Sequence, residues 1–187
     1  PSVFLTAGQR VTATATAAVP VRNTSTFAAS RLVGNPFLVT NTNDTGVGSL
    51  HQAIQNANNT PGPDTIGFAI SSGQQTIILL SALPDITETV VIDGTSQPGY
   101  SGSPVIRLSG GGLNLAPGSA GSTIKGLNIV NFAGAGISVS TNNNIIQGNF
   151  LGTDFTGTAT GTGTLLRGID VTGSNNTIGG NSASAAN

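Results

Sequence analysis

Residues 136–149 read GISVSTNNNIIQGN, and residues 168–181 read GIDVTGSNNTIGGN. Displaced by 32 positions, the two agree at Gly136/Gly168, Ile137/Ile169, Val139/Val171, Asn143/Asn175, Asn144/Asn176, Ile146/Ile178, Gly148/Gly180 and Asn149/Asn181. Eight identities among fourteen positions, in one order and without a gap, exceed what a Gly- and Asn-rich composition supplies. A fainter copy precedes them, Gly112–Leu115 followed by Ser122–Asn128, with two extra residues ahead of Ile124. Repetition at this period is the mark of a solenoid, in which each unit buries its apolar face only against its neighbours.

The residue types select the kind of solenoid. Each copy holds a short alternating strand (Ile137 and Val139; Ile169 and Val171), a small polar corner (142–144; 173–176) and a second short strand, with no room for a helix. Such strands suit a coil that turns corners and stacks in parallel on the next, about 4.8 Å away, with equivalent Ile and Val side chains in line inside. Asn suits the corners because it tolerates left-handed backbone angles and its amides bond along a stack. The expected fold is all-β, a parallel β-helix.

Composition narrows the class further. The 187 residues suffice for one domain with a sizeable core. Only 7% are charged, against about 25% in ordinary soluble domains, and the formal net charge is −1. That balance favours neither nucleic acid nor an anionic membrane. Abundant Thr, Asn and Gly point to a surface solvated by hydroxyls and amides, which fits an extracellular protein. Absence of Cys excludes a disulfide framework and a thiolate metal site. Met is absent too, even at position 1, so the chain reads as a processed product or a piece of something longer. No segment has the basic and apolar layout of a signal peptide, and no run reaches the roughly eighteen apolar residues of a membrane span.

Three regions follow in order. In residues 1–36, Thr12, Thr14 and Thr16 alternate with Val11, Ala13 and Ala15, the pattern of a strand with one buried face, and Pro20 marks an edge or a strand end. Residues 1–31 fit either extra edge strands on the molecule's own coils or an arm that adds to a neighbouring subunit. Residues 37–63 read as a cap: a strand at 37–40, a turn-rich 41–46, and a helix over 49–58. Ser49 caps that helix, Gln52 completes a capping box, and Leu50, Ala53, Ile54 and Ala57 form one apolar face. A helix of about ten residues does not persist alone in water, so it is placed over the open first coil. Residues 64–187 hold the coils, with strands expected at 65–70, 75–80, 87–92 and 104–108 ahead of the repeat. FLGTDFTGTATGTGT (150–164) is an insertion on one side, and Thr177-Ile178 opens a last coil that stays incomplete.

Several segments together resemble one family. They are Val39–Asp44, Gly48–Ile54, Pro63–Ile66, Ile92–Tyr100, Gln147–Asp154 and Asn176–Gly180, and they look like the successive signatures of bacterial right-handed parallel β-helix repeat proteins. The resemblance covers roughly residues 37–181, not residues 1–31, and His51 stands where the family usually has Arg. It implies a right-handed coil and a secreted or surface-attached, adhesin-like chain. Fold alone does not assign a function, because β-helices carry enzymes and inert stalks alike.

A polysaccharide-cleaving site needs paired carboxylates at acid/base distance, or carboxylates holding Ca²⁺ beside a basic residue. The candidates are Asp85, Glu88, Asp93, Asp154 and Asp170. Asp93 and Asp154 sit in turn sequences that explain them. Asp170 lies between Ile169 and Val171, pointing outward, and its counterpart is Ser138, so no carboxylate ladder forms there. Asp85 and Glu88 share a surface at most. His51, the sole His, lies off the Leu50/Ile54 stripe and is expected in solvent, where no Ser-His-Asp or metal set surrounds it. Asn43, Asp44 and Asp64 lack a calcium-loop pattern, and Gly110-Gly111-Gly112 has no following Lys-Ser/Thr to make a phosphate loop. No catalytic, cofactor-binding or metal residue is assigned.

The expectation is a non-enzymatic extracellular structural protein, a subunit of a surface filament that self-associates through residues 1–31 and the open C-terminal coil. Two alternatives stand beside it: a segment of a long surface adhesin, with surface or glycan contacts, and a polysaccharide-cleaving enzyme.

Overall fold

A computed structural model describes residues 35–158, 165–182 and 185–187; the expected arm over 1–31 and the last six residues (159–164) of the 150–164 insertion lie outside the described residues. Along them run β1 (Leu38–Val39), α1 (Leu50–Asn58), β2 (Asp64–Phe68), β3 (Gln75–Ile78), β4 (Val90–Asp93), β5 (Ile106–Ser109) and β6 (Leu113–Leu115). There follow β7 (Thr123–Lys125), β8 (Leu127–Val130), β9 (Gly134–Val139), β10 (Ile145–Gln147), β11 (Phe150–Leu151), β12 (Leu165–Val171) and β13 (Thr177–Ile178). The protein is mostly strand with little helix. No helix of the described residues is long and apolar enough to cross a membrane.

The strands build three parallel sheets, A in the order β1-β2-β4-β7-β10-β13, B in the order β11-β8-β5-β3, and C in the order β12-β9-β6. From β4 onward the chain visits A, B and C in strict rotation. An isolated bridge from Ile86 to Leu115 supplies the sheet-C step between β3 and β4. Parallel partners require the chain to leave and come back in the same direction, and here each return passes through the other two sheets.

Register follows the sequence repeat. Ile137 pairs with Ile169, Val139 with Val171, and Ile146 with Ile178. One circuit earlier Leu113 pairs with Ile137 and Ile124 with Ile146, so the two-residue offset read from the sequence is present in space. The bare path around the three sheets takes 22 residues, as from Ser122 to Asn144, whereas the next step, Asn144 to Asn176, takes 32. The longer circuit carries the insertion.

Stacked apolar columns make the core. In sheet A, Ile66, Ile92, Ile124, Ile146 and Ile178 stand in register on consecutive strands. The first four are 0% exposed and the last is 44% exposed. Sheet B lines up Ile77, Leu108, Ile129 and Leu151, and sheet C lines up Leu115, Val139 and Val171. Full burial of one such side chain contributes about 1.5–3 kcal/mol. These columns, repeated, are the main source of stability.

Corners would strand backbone N–H groups, and short polar side chains take them up. Ser122 Oγ accepts from Val90 N (3.0 Å), Asn144 Oδ1 from Ser122 N (2.9 Å), and Asn176 Oδ1 from Asn144 N (2.8 Å). Ser122 and Asn144 are fully buried. A second ladder runs between sheets A and B, where Asn149 Oδ1 accepts from Leu127 N and Asn187 Oδ1 from Asn149 N. Asn143 and Asn175 hold left-handed φ values of 61° and 57°, as their corner positions require. At the A-to-B corner the backbones of successive circuits nearly touch: a Cβ on Gly94 would lie 2.2 Å from the Gly126 carbonyl oxygen.

α1 starts at Leu50 with Ser49 as its cap, and Leu50, Ala53, Ile54 and Ala57 are buried against β1 and β2. Ser49 Oγ accepts from Gln52 N (3.2 Å). The expected capping box is only half made, because the Gln52 amide donates to Asn56 Oδ1 (2.9 Å) and Ser49 N finds Gly46 O (3.1 Å). Strand bounds shift by up to three residues from expectation, most at β4, where Thr87 donates its N–H to the Asn58 side chain instead. The insertion starts later than expected, since Phe150 and Leu151 form β11 on β8. The repeat itself fails past Ile178. Asn187, not Asn181, takes the place above Asn149.

Candidate functional site

The two ends of the sheet stack differ. At the β1 end, α1 lies on the core and the Asn58 side chain fastens its last turn to the first circuit, donating to Asp85 O (2.7 Å) and accepting from Thr87 N (2.9 Å). Asp44 adds a second closure. Its Oδ1 accepts from Leu80 N (2.9 Å) and Ser81 N (3.2 Å), just past edge strand β3, and its Oδ2 from Ser81 Oγ (2.8 Å). The Ser81 hydroxyl and these amides hold the Asp44 carboxyl below its ordinary value, with a small contribution from His51. A carboxylate on edge N–H groups discourages a further strand from pairing there. Asp44 is thus an edge cap.

At the opposite end the last strands β11, β12 and β13 each form the outer edge of their sheet. Val171 is 39% and Ile178 44% exposed, so two of the core columns end uncovered. β11 and β13 are only two residues long. The 152–158 loop folds back towards β11, with Gly157 against the Phe150 ring, and Ala185 O accepts from Gly148 N beside it (3.2 Å). β12 runs for seven residues and has no strand on its outer side among the described residues.

A groove lies on the outer face of sheet C. Asn114, Ser138 and Asp170 stand in register across β6, β9 and β12, and Asn114 donates to Asp85 Oδ1 (2.8 Å). Beside this row lies a hollow of about 490 Å³ floored by Gly110–Gly112, and it adjoins one of about 420 Å³ through Ala135 and Ser138. Asp170 Oδ2 pairs with Arg167 Nη1 (2.8 Å). Asp85 and Asp170 are three strand steps apart, roughly 14 Å at strand spacing, beyond the reach of a glycosidase carboxylate pair.

The remaining candidates separate. Asp93 accepts from Thr95 N (3.0 Å) as its turn sequence implies, and also pairs with Lys125 Nζ (3.0 Å) one circuit on, a partner that sequence reasoning missed. Asp154 accepts from Thr156 N (2.9 Å) in a turn over sheet B. That loop is fastened by Arg107, whose guanidinium sits 3.9 Å from the Phe155 ring centre, and by buried Asn128, which bonds Phe150 O and Thr153 O. Burial first, then the Glu88 charge, pushes the Asp64 carboxyl above its ordinary value. Asp64 Oδ2 is buried without a hydrogen-bond partner among the described residues. His51 is half-buried, with one side of its ring exposed. Its Nε2 lies 3.2 Å from Gln55 Nε2, and its Nδ1 is buried and unpartnered among the described residues. The helical wheel takes no account of the 41–48 turn, which Gly48 O ties to Thr40 N beside the first turn of α1. Among the described residues, no three His, Cys, Asp or Glu side chains are grouped to hold a metal ion.

Comparison with protein-family models, with curated proteins and with solved structures returned no match.

Proposed function

We propose that residues 37–187 form a right-handed parallel β-helix of the bacterial repeat kind, and that the protein is a non-enzymatic, extracellular structural subunit. Copies join into a surface filament when residues 1–31 of one add as a strand to the open end of the next. The rotation of the chain through three parallel sheets supports the solenoid. The observation that carries the assembly reading is the inequality of the ends. One is closed by α1 and Asp44, and the other ends on exposed Val171 and Ile178 at sheet edges that carry no further strand among the described residues. Bare edges recruit strands, and the alternation from Val11 to Thr16 has the pattern of one.

Sedimentation and negative-stain imaging of the chain with and without residues 1–31 test this reading. Filaments from the intact chain and folded monomers from the shortened one are the expected result. If both remain folded monomers, the filament is wrong, and a segment of a long adhesin takes its place. The groove of Asp85, Asn114, Ser138 and Asp170 would then be the surface to probe for glycan contact.

A further inference from the structure

We infer that β12, alone among the three outermost strands, is the edge that accepts a second copy, and that its occupant is the 11–16 segment of that copy laid parallel to it. The inference rests on the assembly reading above and specifies its joint. Strand length comes first. β11 and β13 offer two residues each, and Gly157 and Ala185 lie close to β11, whereas β12 spans seven, of which Arg167–Val171 run in unbroken register after a shift between Leu165 and Arg167.

Backbone direction is the second argument. Thr172 N donates to Val139 O (2.9 Å), so even-numbered residues of this stretch face β9. In a parallel ladder the N–H and C=O of alternate residues face opposite neighbours. Those of Arg167, Ile169 and Val171 therefore point away from β9, giving three consecutive donor–acceptor pairs to an incoming strand.

The side-chain pattern supplies the occupant. On sheet C the inner columns are Leu113–Ile137–Ile169 and Leu115–Val139–Val171, and the outer row is Asn114–Ser138–Asp170. A strand continuing the sheet must place small or apolar residues over Ile169 and Val171 and a polar one over Asp170. Val11-Thr12-Ala13 and Ala13-Thr14-Ala15 both do so, with Thr12 or Thr14 opposite Asp170. The absence of other charges between Arg10 and Arg22 keeps the outer row free of repulsion against Asp170.

The chain has no Cys, so planted thiols report unambiguously. Paired residues on adjacent strands lie about 4.8 Å apart, within disulfide reach. Full-length Asp170→Cys chains are mixed with full-length Thr12→Cys or Thr14→Cys chains, oxidised, and read on a non-reducing gel, with sedimentation of the same mixtures alongside. A mixed dimer several-fold more abundant than with Thr177→Cys or Thr153→Cys in place of Asp170→Cys is expected. Assembly by sedimentation with the cross-link running through Thr177→Cys or Thr153→Cys, or through none of them, overturns β12 as the joint and leaves the filament standing. No association by either readout removes both. A single chain carrying both Asp170→Cys and Thr14→Cys (or Thr12→Cys) that closes on itself at high dilution also overturns the inference, since the segment then lies on its own molecule.

Discussion

Ile146 and Ile178 occupy equivalent places on adjacent strands β10 and β13, yet the first is 0% and the second 44% exposed. Identical side chains in identical local structure are therefore worth different amounts. Ile146→Ala is expected to lower stability by about 2–5 kcal/mol, the range for emptying a packed site. Ile178→Ala should cost under about 1 kcal/mol in dilute monomer, as an incompletely buried position does. Urea unfolding checks both. Equal losses would show that the last circuit is covered in solution.

The corner ladder gives a second contrast. Asn144→Ala removes the acceptor of a buried N–H, that of Ser122, and is expected to cost about 1–3 kcal/mol. Asn142 also bonds its ladder neighbour, Ser174 N, but in solvent. There water replaces the lost acceptor, and Asn142→Ala should stay within about 0.5 kcal/mol. Thermal melts of the two variants separate buried from exposed rungs.

Gly94→Ala tests the approach of successive circuits. The new methyl would meet the Gly126 carbonyl at 2.2 Å, a backbone atom with no room to yield, and a loss of about 1–3 kcal/mol or more is expected. Gly168→Ala is the control, since its nearest atom is Leu151 Cδ1 at 3.5 Å, an ordinary contact. Similar melting of the two would deny the clash.

Asp44 and Asp64 predict opposite responses to pH. Hydrogen bonds from Ser81 and Leu80 lower the Asp44 pKa in the folded state, so its contribution is present above the unfolded value and lost as pH falls through the folded one. Burial and Glu88 raise the Asp64 pKa, so folding favours its protonated form; that contribution is full below the unfolded value and is lost as pH rises through the folded one. Between about pH 3 and pH 6, Asp44→Asn should flatten the loss of stability on acidification, and Asp64→Asn should steepen it. Denaturant midpoints across that range decide, and slopes moving the other way would refute the assignment.

Much of this architecture is legible in residues 136–181 because a repeating backbone forces a repeating sequence. Equivalent inner positions need β-branched or Leu side chains, and equivalent corners need Asn. Hence the pairings of Ile137 with Ile169 and of Asn144 with Asn176 could be written down in advance. Legibility stopped where partners are distant and non-periodic. Arg107 meets Phe155, and Asp44 meets Leu80 and Ser81, each through geometry that no local pattern encodes, whereas Lys125 meets Asp93 as its register partner on the next strand of sheet A. Asn187 in place of Asn181 shows the limit within the repeat itself. The outer row from Asp85 to Asp170 was half visible, since Ser138 and Asp170 were matched by the repeat, while Asp85 joined it only through Asn114.

The column of isoleucines in sheet A has a consequence for time as well as for stability. Each circuit is held by its immediate neighbours, and the column is closed at β1 and open at β13. Amide hydrogens should therefore exchange in a gradient, fastest in β13 and slowest in β2 and β4, with opening that begins at Ile178 and advances one circuit at a time. A neighbour seated on that end would slow exchange along the whole gradient, because every later opening waits on the first.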